Sequence, residues 1–301
     1  MAGSFTAVDL SKLSPPAVVE TLSFETIFQQ MLADLIARDP TFSALVESDP
    51  AYKILQVCAY RETLIRHRVN DAGRAVMLAY ATGTDLDQIG ANFNVSRLLI
   101  EAGDPNAIPP TEDVYEGDDD FRRRIQLSLE GYTTAGSQGA YIFHALSADG
   151  DVKDVAVPNV PLTPGTVNVA VLSRTGTGTA PAGTLTAVVS ALNAETVRPL
   201  CDTVVVASAE IVTYAITAIL TLYSGAGQAQ VMAAAQAAAQ AYADNMHKLG
   251  LDVTRSGIFA ALHQAGVQNV TLTAPAADVV IAWNQASRCT GITLTFGGVG
   301  E

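Results

Sequence analysis

The sequence carries little charge for its length, and this scarcity limits the classes of protein to which it can belong. Only 16% of the 301 residues are charged and the formal net charge is −13, whereas an average soluble domain is about 25% charged. Nucleic-acid-binding proteins instead cluster Lys and Arg to neutralise phosphates. We therefore expect no nucleic-acid partner. The 49% hydrophobic content argues against disorder over most of the chain.

The sequence also lacks the segments that direct a chain to a membrane. Its longest apolar stretch, residues 212–223, contains threonines and is shorter than the roughly 18 residues that a membrane span needs. The first residues show neither the basic nor the apolar region of a signal peptide. We expect no membrane partner and synthesis in the cytoplasm.

Cysteine is scarce. Cys58, Cys201 and Cys289 lie far apart without the C-x-x-C spacing of a metal or redox site. This sparse set argues against a disulfide framework and against a zinc site. We expect the three thiols to be buried in a reduced protein.

The first hundred residues carry helical patterns. Residues 1–20, polar and Pro-containing, are predicted to form an extended arm. Apolar residues recur at helical spacing over 24–37, behind Ser23 as a helix cap. A second helical pattern runs from Pro50 to about residue 80, roughly 45 Å, with one side formed by Ile54, Leu55, Cys58, Ile65, Val69, Ala72 and Val76. A helix of that length exceeds the needs of one small core and indicates a partner.

Two short segments follow this helix. Gly83 is predicted to end the long helix in a left-handed conformation, and Thr84 or Asp85 to cap a short helix with Leu86 and Ile89 on its apolar face. Residues 101–130 are predicted to be a linker rich in Pro and acid that leads into a new helix start.

Opposite charges meet at this helix start. Asp118–Asp120 suit the first turn of a helix because of the helix dipole, and Arg122–Arg124 follow directly around Phe121. The acidic run 112–120 lacks the order of an EF-hand calcium loop, so a metal site is not expected. The two clusters fit a solvated helix face, an exposed hinge or a contact across a subunit boundary.

The second half alternates short β runs with helices. Two compact units are predicted, residues 131–210 and 211–301, after a helical domain at 21–100. The segment from Gly139 to Val155 resembles that from Gly257 to Val270, because both contain Gly, an apolar helix and then V-x-[DN]-V. The predicted fold class is α+β and multidomain, with a helical N-terminal region followed by two small α/β (helix-on-sheet) domains.

The sequence offers no catalytic set. The Gly-rich loop 174–179 lacks the GK[ST] ending of a phosphate loop, and the four histidines accompany neither a nucleophile signature nor H-E-x-x-H. We expect no enzyme activity, no cofactor and no metal. The alternative is an envelope-degrading hydrolase that would use the carboxylates of Asp118–Asp120. A receptor-binding module, usually trimeric and rich in β repeats, does not match two α/β units.

Several motifs in order carry a family resemblance. The first has the pattern A-T-G-x-x-L-D-x-I-G-x-x-x-x-V-x-R and is formed by Ala81, Thr82, Gly83, Leu86, Asp87, Ile89, Gly90, Val95 and Arg97. Others include Asp119-Asp120-Phe121-Arg122, Thr134-Ala135-Gly136-Ser137, Val197-Arg198-Pro199-Leu200 and Asp252-Val253-Thr254-Arg255-Ser256. From about residue 20 to its end, the chain resembles the baseplate J-like proteins of contractile-tailed phages and R-type pyocins.

The resemblance implies a structural wedge component located in the tail baseplate of a virion or pyocin particle and assembled in the bacterial cytoplasm. It implies copies that pair and close a ring around the central spike hub, helices that bundle with smaller wedge proteins, and contacts to the hub and sheath-proximal proteins. The expected interface residues are Gly83, Asp85, Leu86, Ile89, Gly90, Arg97, Asp120, Phe121, Arg122 and Arg124.

The charge is unevenly spread along the chain. Residues 1–125 contain 30 charged side chains and residues 126–301 contain 17. Interface cores are depleted of charge, so we expect the low-charge half to link neighbouring copies in the ring.

Overall fold

The chain forms two compact units, divided between Ser96 and Arg97. The computed structural model describes residues 8–14, 16, 19–133, 135–225 and 227–300. We call residues 8–96 the N-terminal unit and residues 97–300 the C-terminal unit. Half of the predicted arm lies outside the described residues. Its described part is not wholly extended, because Leu10–Lys12 form a 3-10 turn.

The N-terminal unit is built on two helices. Helix α1 (Phe24–Arg38) begins as predicted at Ser23, whose hydroxyl accepts a hydrogen bond from the Thr26 amide at 3.3 Å. Helix α2 (Pro50–Ala75) has 26 residues and is about 39 Å long. The two helices share a small core of Ile27, Phe28 and Ala59, with Tyr52 and Leu55 at its margin.

The predicted end of α2 is wrong by several residues. The helix stops at Ala75, and the carbonyl of Met77 then accepts from the amides of both Tyr80 and Ala81, which forms a separate turn. Gly83 therefore does not end α2. It is the first residue of α3 (Gly83–Asn92), with φ of +53°, and the helix cap is Thr82 rather than Thr84 or Asp85.

The predicted linker contains structure of its own. Strands β1 (Leu99–Glu101) and β2 (Val114–Tyr115) pair antiparallel. The loop between them is closed by hydrogen bonds from the Gly103 amide to Asp113 and from the Asp104 amide to Thr111, both at 2.8 Å. Helix α4 (Asp118–Leu127) follows, with Phe121 and Ile125 buried.

The next domain is one layer of helices on a three-stranded sheet. Its elements are α5 (Gln138–Leu146), β3 (Val152–Ala156), β4 (Thr166–Ser173), α6 (Ala182–Leu192) and β5 (Thr203–Ser208). The strand order is β3-β4-β5, with β3 antiparallel and β5 parallel to the central β4. Helix α6 supplies the crossover that two adjacent parallel strands require.

The last domain repeats this arrangement with a different chain order. Its elements are β6 (Glu210–Tyr223), α7 (Gln228–Met246), α8 (Arg255–Leu262), β7 (Val267–Ala274) and β8 (Gln285–Gly300). The strand order is β7-β6-β8, with β7 antiparallel and β8 parallel to β6. In both domains the strand after the repeated apolar helix, β3 or β7, is the edge strand antiparallel to the centre. The predicted fold class, α+β and multidomain, is confirmed.

The core of the last domain follows from alternation along β6. Ile216, Ala218, Leu220 and Leu222 are almost fully buried and face α7 and α8, because successive strand residues point to opposite faces. Small residues of α7, such as Ala235, let the helix lie close to the sheet.

Two sequence expectations about this half and the cysteines are wrong. The apolar pattern of the sequence predicts a final strand at residues 292–296. The strand instead begins at Gln285, because its first residues are polar and show no apolar pattern. Cys58 and Cys201 are exposed and Cys289 is half-buried, so the thiols are not core residues. Within the described ranges, no helix is long and apolar enough to cross a bilayer.

We expect Leu220→Ala to destabilise the last domain by about 2–5 kcal/mol, because it leaves a cavity in the core. The neighbouring Ile219→Ala is the control, since Ile219 is 41% exposed on the opposite face. Its cost should stay within roughly 0.5 kcal/mol. Urea unfolding followed by the fluorescence of the single tryptophan, Trp283, measures both. Equal costs would contradict the burial pattern.

Candidate functional site

A buried ion pair joins α4 to the strand before it. The guanidinium of Arg124 donates from Nε to both carboxylate oxygens of Glu116 at 3.1 Å, and its Nη2 also bonds to Glu116. The side chains are 5% and 1% exposed. Burying two charges is costly unless their remaining groups are satisfied. Here Nη1 of Arg124 donates to Ser147 at 3.2 Å, and Glu116 accepts from the Leu98 amide at 3.4 Å.

A second arginine completes this cluster. Arg97 donates to the backbone carbonyl of Glu116 at 2.7 Å and to the carboxylate of Asp118 at 2.8 Å. Its guanidinium lies 4.8 Å from the centre of the Phe121 ring, which Arg124 also approaches at 5.8 Å. Such cation–π contacts strengthen when they are desolvated, and Phe121 is fully buried. The motif residue Arg97 thus holds the start of α4 in place.

Two further charges of α4 reach the first sheet domain. Asp120 pairs with Arg174 at 2.5 Å, and Arg123 pairs with Asp154 of β3 at 2.8 Å. The other carboxylate oxygen of Asp154 accepts from the amide of Leu249, which follows α7, at 2.9 Å. Asp154 therefore connects α4, the first sheet and the last domain. The side chains of Ala170, Leu172, Ala209, Leu249 and Ala286 pack around the same junction.

These contacts change the interpretation of the charge clusters. Asp118–Asp120 each pair with an arginine, and Arg122, Arg123 and Arg124 pair with Asp119, Asp154 and Glu116. Neither a solvated face nor an exposed hinge describes them, because most of the pairs are at least partly buried. The space among these charges measures about 10 Å³, which is about the volume needed for one water.

The structure separates the ten predicted interface residues into two groups. Gly83, Asp85, Leu86, Ile89 and Gly90 lie on α3 of the N-terminal unit. Arg97, Asp120, Phe121, Arg122 and Arg124 surround the start of α4 in the C-terminal unit. Leu86, Gly90, Phe121 and Arg124 are buried, and Gly83 and Asp85 are exposed. The buried four act inside the fold, so any effect they have on an interface is indirect.

Two of the four histidines, His144 and His247, are partly buried packing residues. His144 Nε2 lies 3.1 Å from the Gly131 carbonyl, and His247 Nδ1 lies 2.6 Å from the Ser287 carbonyl. Burial lowers the pKa of both rings below the usual value, although the carbonyl contacts raise it again in part. Across the described part of the chain, no group of three His, Cys, Asp or Glu side chains could hold a metal ion.

The most extensive candidate surface is on α2. Most of the side predicted to be apolar is exposed, since Ile54, Ile65, Val69 and the adjoining Val76 are 64%, 64%, 56% and 75% accessible. Leu55 of the same predicted side instead packs at the margin of the core. Val57, Tyr60 and Leu64 form a second exposed apolar track. The exposed Arg61 and Arg68 lie between the two tracks by helical geometry. Sequence periodicity found the apolar residues but could not show which side faces the core.

Comparison with known proteins assigns the family. Three family models match in order: the Baseplate J-like N-terminal domain at residues 47–104, the Baseplate J-like central domain at 133–208 and the Baseplate J-like protein C-terminal domain at 214–295. The chain is 47% identical to Baseplate protein J of Escherichia phage P2, over 98% of this chain and 99% of that protein. The chain belongs to the baseplate J-like family. It is a structural component of a phage-type tail baseplate and thus of the virion tail.

A chain in the cryo-EM structure of the anti-feeding prophage (AFP) baseplate is also similar to this baseplate J-like chain. The match has a TM-score of 0.40 and 14% sequence identity, and it covers 61% of this chain and 46% of that one.

We expect Arg124→Met to destabilise the C-terminal unit by about 3–5 kcal/mol, because it leaves the Glu116 carboxylate buried without its partner. The double variant Glu116→Leu/Arg124→Met should recover much of that loss. Arg74→Ala is the control. It removes a pair on α2 with Asp71 in which the two side chains are 48% and 64% exposed, and it should cost at most about 1 kcal/mol. Chemical unfolding of the three proteins measures these differences, and a mild effect of Arg124→Met alone would contradict the burial of the pair.

Proposed function

We propose that this baseplate protein is a wedge component of a contractile tail that associates with its own copies and links wedges into a ring around the central spike hub. In this proposal α2 binds the long helices of smaller wedge proteins, and the two sheet domains link neighbouring copies. The central hub and sheath-proximal proteins are the further partners. The observation that carries the proposal is the exposed apolar surface of α2.

The size of that surface supports a helical partner. The exposed apolar residues extend from Ile54 to Val69 on α2 and on to Val76 directly after it, and the part on the helix spans about 23 Å. Monomeric proteins rarely leave a contiguous apolar surface of this extent in water. The opposite side of α2 already packs on α1 through Ala59 and Leu55. An additional helix laid along the exposed side would complete a bundle around α2.

The charges on this surface indicate the chemistry of the partner. Lys53, Arg61 and Arg68 are exposed along the apolar tracks, and Asp71 is the acidic residue beside them. A partner helix with apolar residues at helical spacing and acidic residues on its flanks complements such a surface, because unlike charges at the rim favour correct pairing.

The alternative function, a hydrolase, has little support, because the carboxylates that it would need are already paired. A catalytic carboxylate pair needs access to substrate. Asp118, Asp119 and Asp120 are instead paired with Arg97, Arg122 and Arg174. The two sheet domains carry few charges, which supports their assignment as ring-linking domains.

We expect Ile65→Glu to reduce the yield of assembled particles by at least roughly tenfold, because it replaces an apolar side chain with a charge that would have to be buried in the helical contact. The isolated chain should fold normally, since Ile65 is exposed in it. Electron microscopy and infectivity of particles built with the variant measure the effect, and circular dichroism checks folding.

The matched control is His67→Glu, which introduces the same side chain two residues along α2. His67 is also exposed, and about 200° of helical rotation separates it from Ile65. It therefore lies at the margin of the surface, beside Tyr60 of the second track, where an added carboxylate can stay hydrated. Particles should assemble normally with His67→Glu. Normal assembly with Ile65→Glu, or equal loss with both variants, would count against α2 as the partner surface.

A further inference from the structure

The outer edge of the last sheet is unusually free of charge. Residues 211–243, 256–277 and 289–300 contain no Asp, Glu, Lys or Arg. They include most of β6, all of β7 and the greater part of β8. Natural sheets protect their edges with lysine, proline, bulges or covering elements because an open edge pairs with other strands. These stretches of the last sheet contain no charged side chain that could protect an edge in this way.

The edge strand β8 has one regular open segment. Its register with β6 shifts before Ile292 and after Phe296, where three residues of β8 oppose two of β6. Between these bulges Ile292–Phe296 pair regularly with Ile216–Leu220. Among the described strands none lies on the other side of this segment, since β8 is last in the order β7-β6-β8. The start of β8 is covered, because Gly250 donates to the Gln285 carbonyl at 3.0 Å.

The sequence of this segment is close to a palindrome. It reads Ile-Thr-Leu-Thr-Phe, centred on Leu294. Ile292 and Leu294 pack against the core beneath the sheet, whereas Thr293 and Thr295 are exposed on the open face. Two identical strands placed antiparallel about Leu294 would set Ile292 opposite Phe296 and Thr293 opposite Thr295. Aromatic with β-branched and Thr with Thr are both favourable cross-strand pairs.

We propose that Ile292–Phe296 of β8 pairs antiparallel with the same segment of a second copy, which joins two three-stranded sheets into one sheet of six strands. The contact is isologous, so each pair occurs twice about the two-fold axis. Arg288, the nearest charge, lies beyond the paired segment in this register. The inference rests on the proposed self-association and names the surface that performs it.

The palindromic register allows a direct test with the full chain. Thr293→Lys/Thr295→Lys places Lys opposite Lys at both symmetric positions, and like charges directly opposite each other are destabilising. We expect the dimer dissociation constant to rise roughly tenfold or more. Thr293→Lys/Thr295→Glu instead places Lys opposite Glu of the second copy, and its dissociation constant should return to within a few-fold of the wild-type value. Analytical ultracentrifugation over a concentration series measures all three proteins.

The control for added charge is Thr271→Lys/Thr273→Lys. Both threonines are exposed on β7, the opposite edge strand of the same sheet, so self-association should be unchanged. Hydrogen exchange gives a second measurement, because backbone amides at the outer edge of 292–296 should gain protection as the protein concentration rises.

Three results would overturn the inference: a wild-type chain that is monomeric at its highest soluble concentration, a Lys/Lys variant that dimerises normally, or a Lys/Glu variant as weak as Lys/Lys. The last of these would point to a strand of another protein at this edge. Particle assembly separates this failure from that of the proposed function. Normal particles from strictly monomeric chains would refute the β8 contact but not the assignment as a wedge component. The Ile65→Glu variant tests that assignment independently, because it leaves β8 unaltered.

Discussion

The ion pair between Arg124 and Glu116 is the contact on which the C-terminal unit depends. Each end of the pair reaches a different element: Glu116 accepts from the Leu98 amide, and Arg124 donates to Ser147 beyond α5. A buried ion pair contributes little net stability compared with apolar residues of similar size at the same positions, but it tolerates few alternative geometries. The bidentate contact therefore specifies how α4 lies against the first sheet domain, and Arg123 and Asp154 extend that specification to the last domain.

This arrangement also uses two of the few charges of the second half, Asp154 and Arg174, inside the C-terminal unit. The cationic side chains of α4 face carboxylates within the same unit, and Asp154 is taken up by Arg123 and a backbone amide. The open face of the last sheet is instead lined by threonines, with Thr213, Thr271, Thr273, Thr293 and Thr295 exposed. A hydroxyl hydrates the surface and its β-branched carbon suits a strand. The surface of the domain is thus hydrated by hydroxyl groups rather than by charges. No charged side chain then opposes the pairing of the edge strand with another strand.

The parts of the fold that sequence predicted are those set by local rules. Ser23 caps α1 because a hydroxyl before an apolar helical pattern satisfies a free amide. The start of β8 was missed because residues 285–291 are held by neighbouring backbone rather than by an apolar pattern. Gly83 was misassigned because a left-handed glycine fits either end of a helix, and only the turn at Met77 decides between them.

The candidate site was harder to predict because its decisive contacts are tertiary. The resemblance predicts Arg97, Phe121 and Arg124 as interface residues. In the structure both arginines bond to Glu116, and both guanidinium groups lie over the ring of Phe121 at the start of α4. Glu116 and Arg124 are eight residues apart with a strand end and a helix start between them, so no helical or strand period relates them. The apolar side of α2 was predicted as a stripe, but sequence alone could not decide whether α1 or an external partner covers it.

The two proposed surfaces use different physics, and this difference can keep their partners apart. The α2 surface recognises apolar side chains at helical spacing, with basic residues that select for acidic flanks. The β8 edge recognises backbone hydrogen-bonding groups and a palindromic order of side chains, so a helix satisfies none of its donors or acceptors. Specificity is a difference of affinities, and each surface is a poor substitute for the other. In the proposed wedge component, which joins copies of itself and also other proteins, this division keeps the two kinds of contact separate.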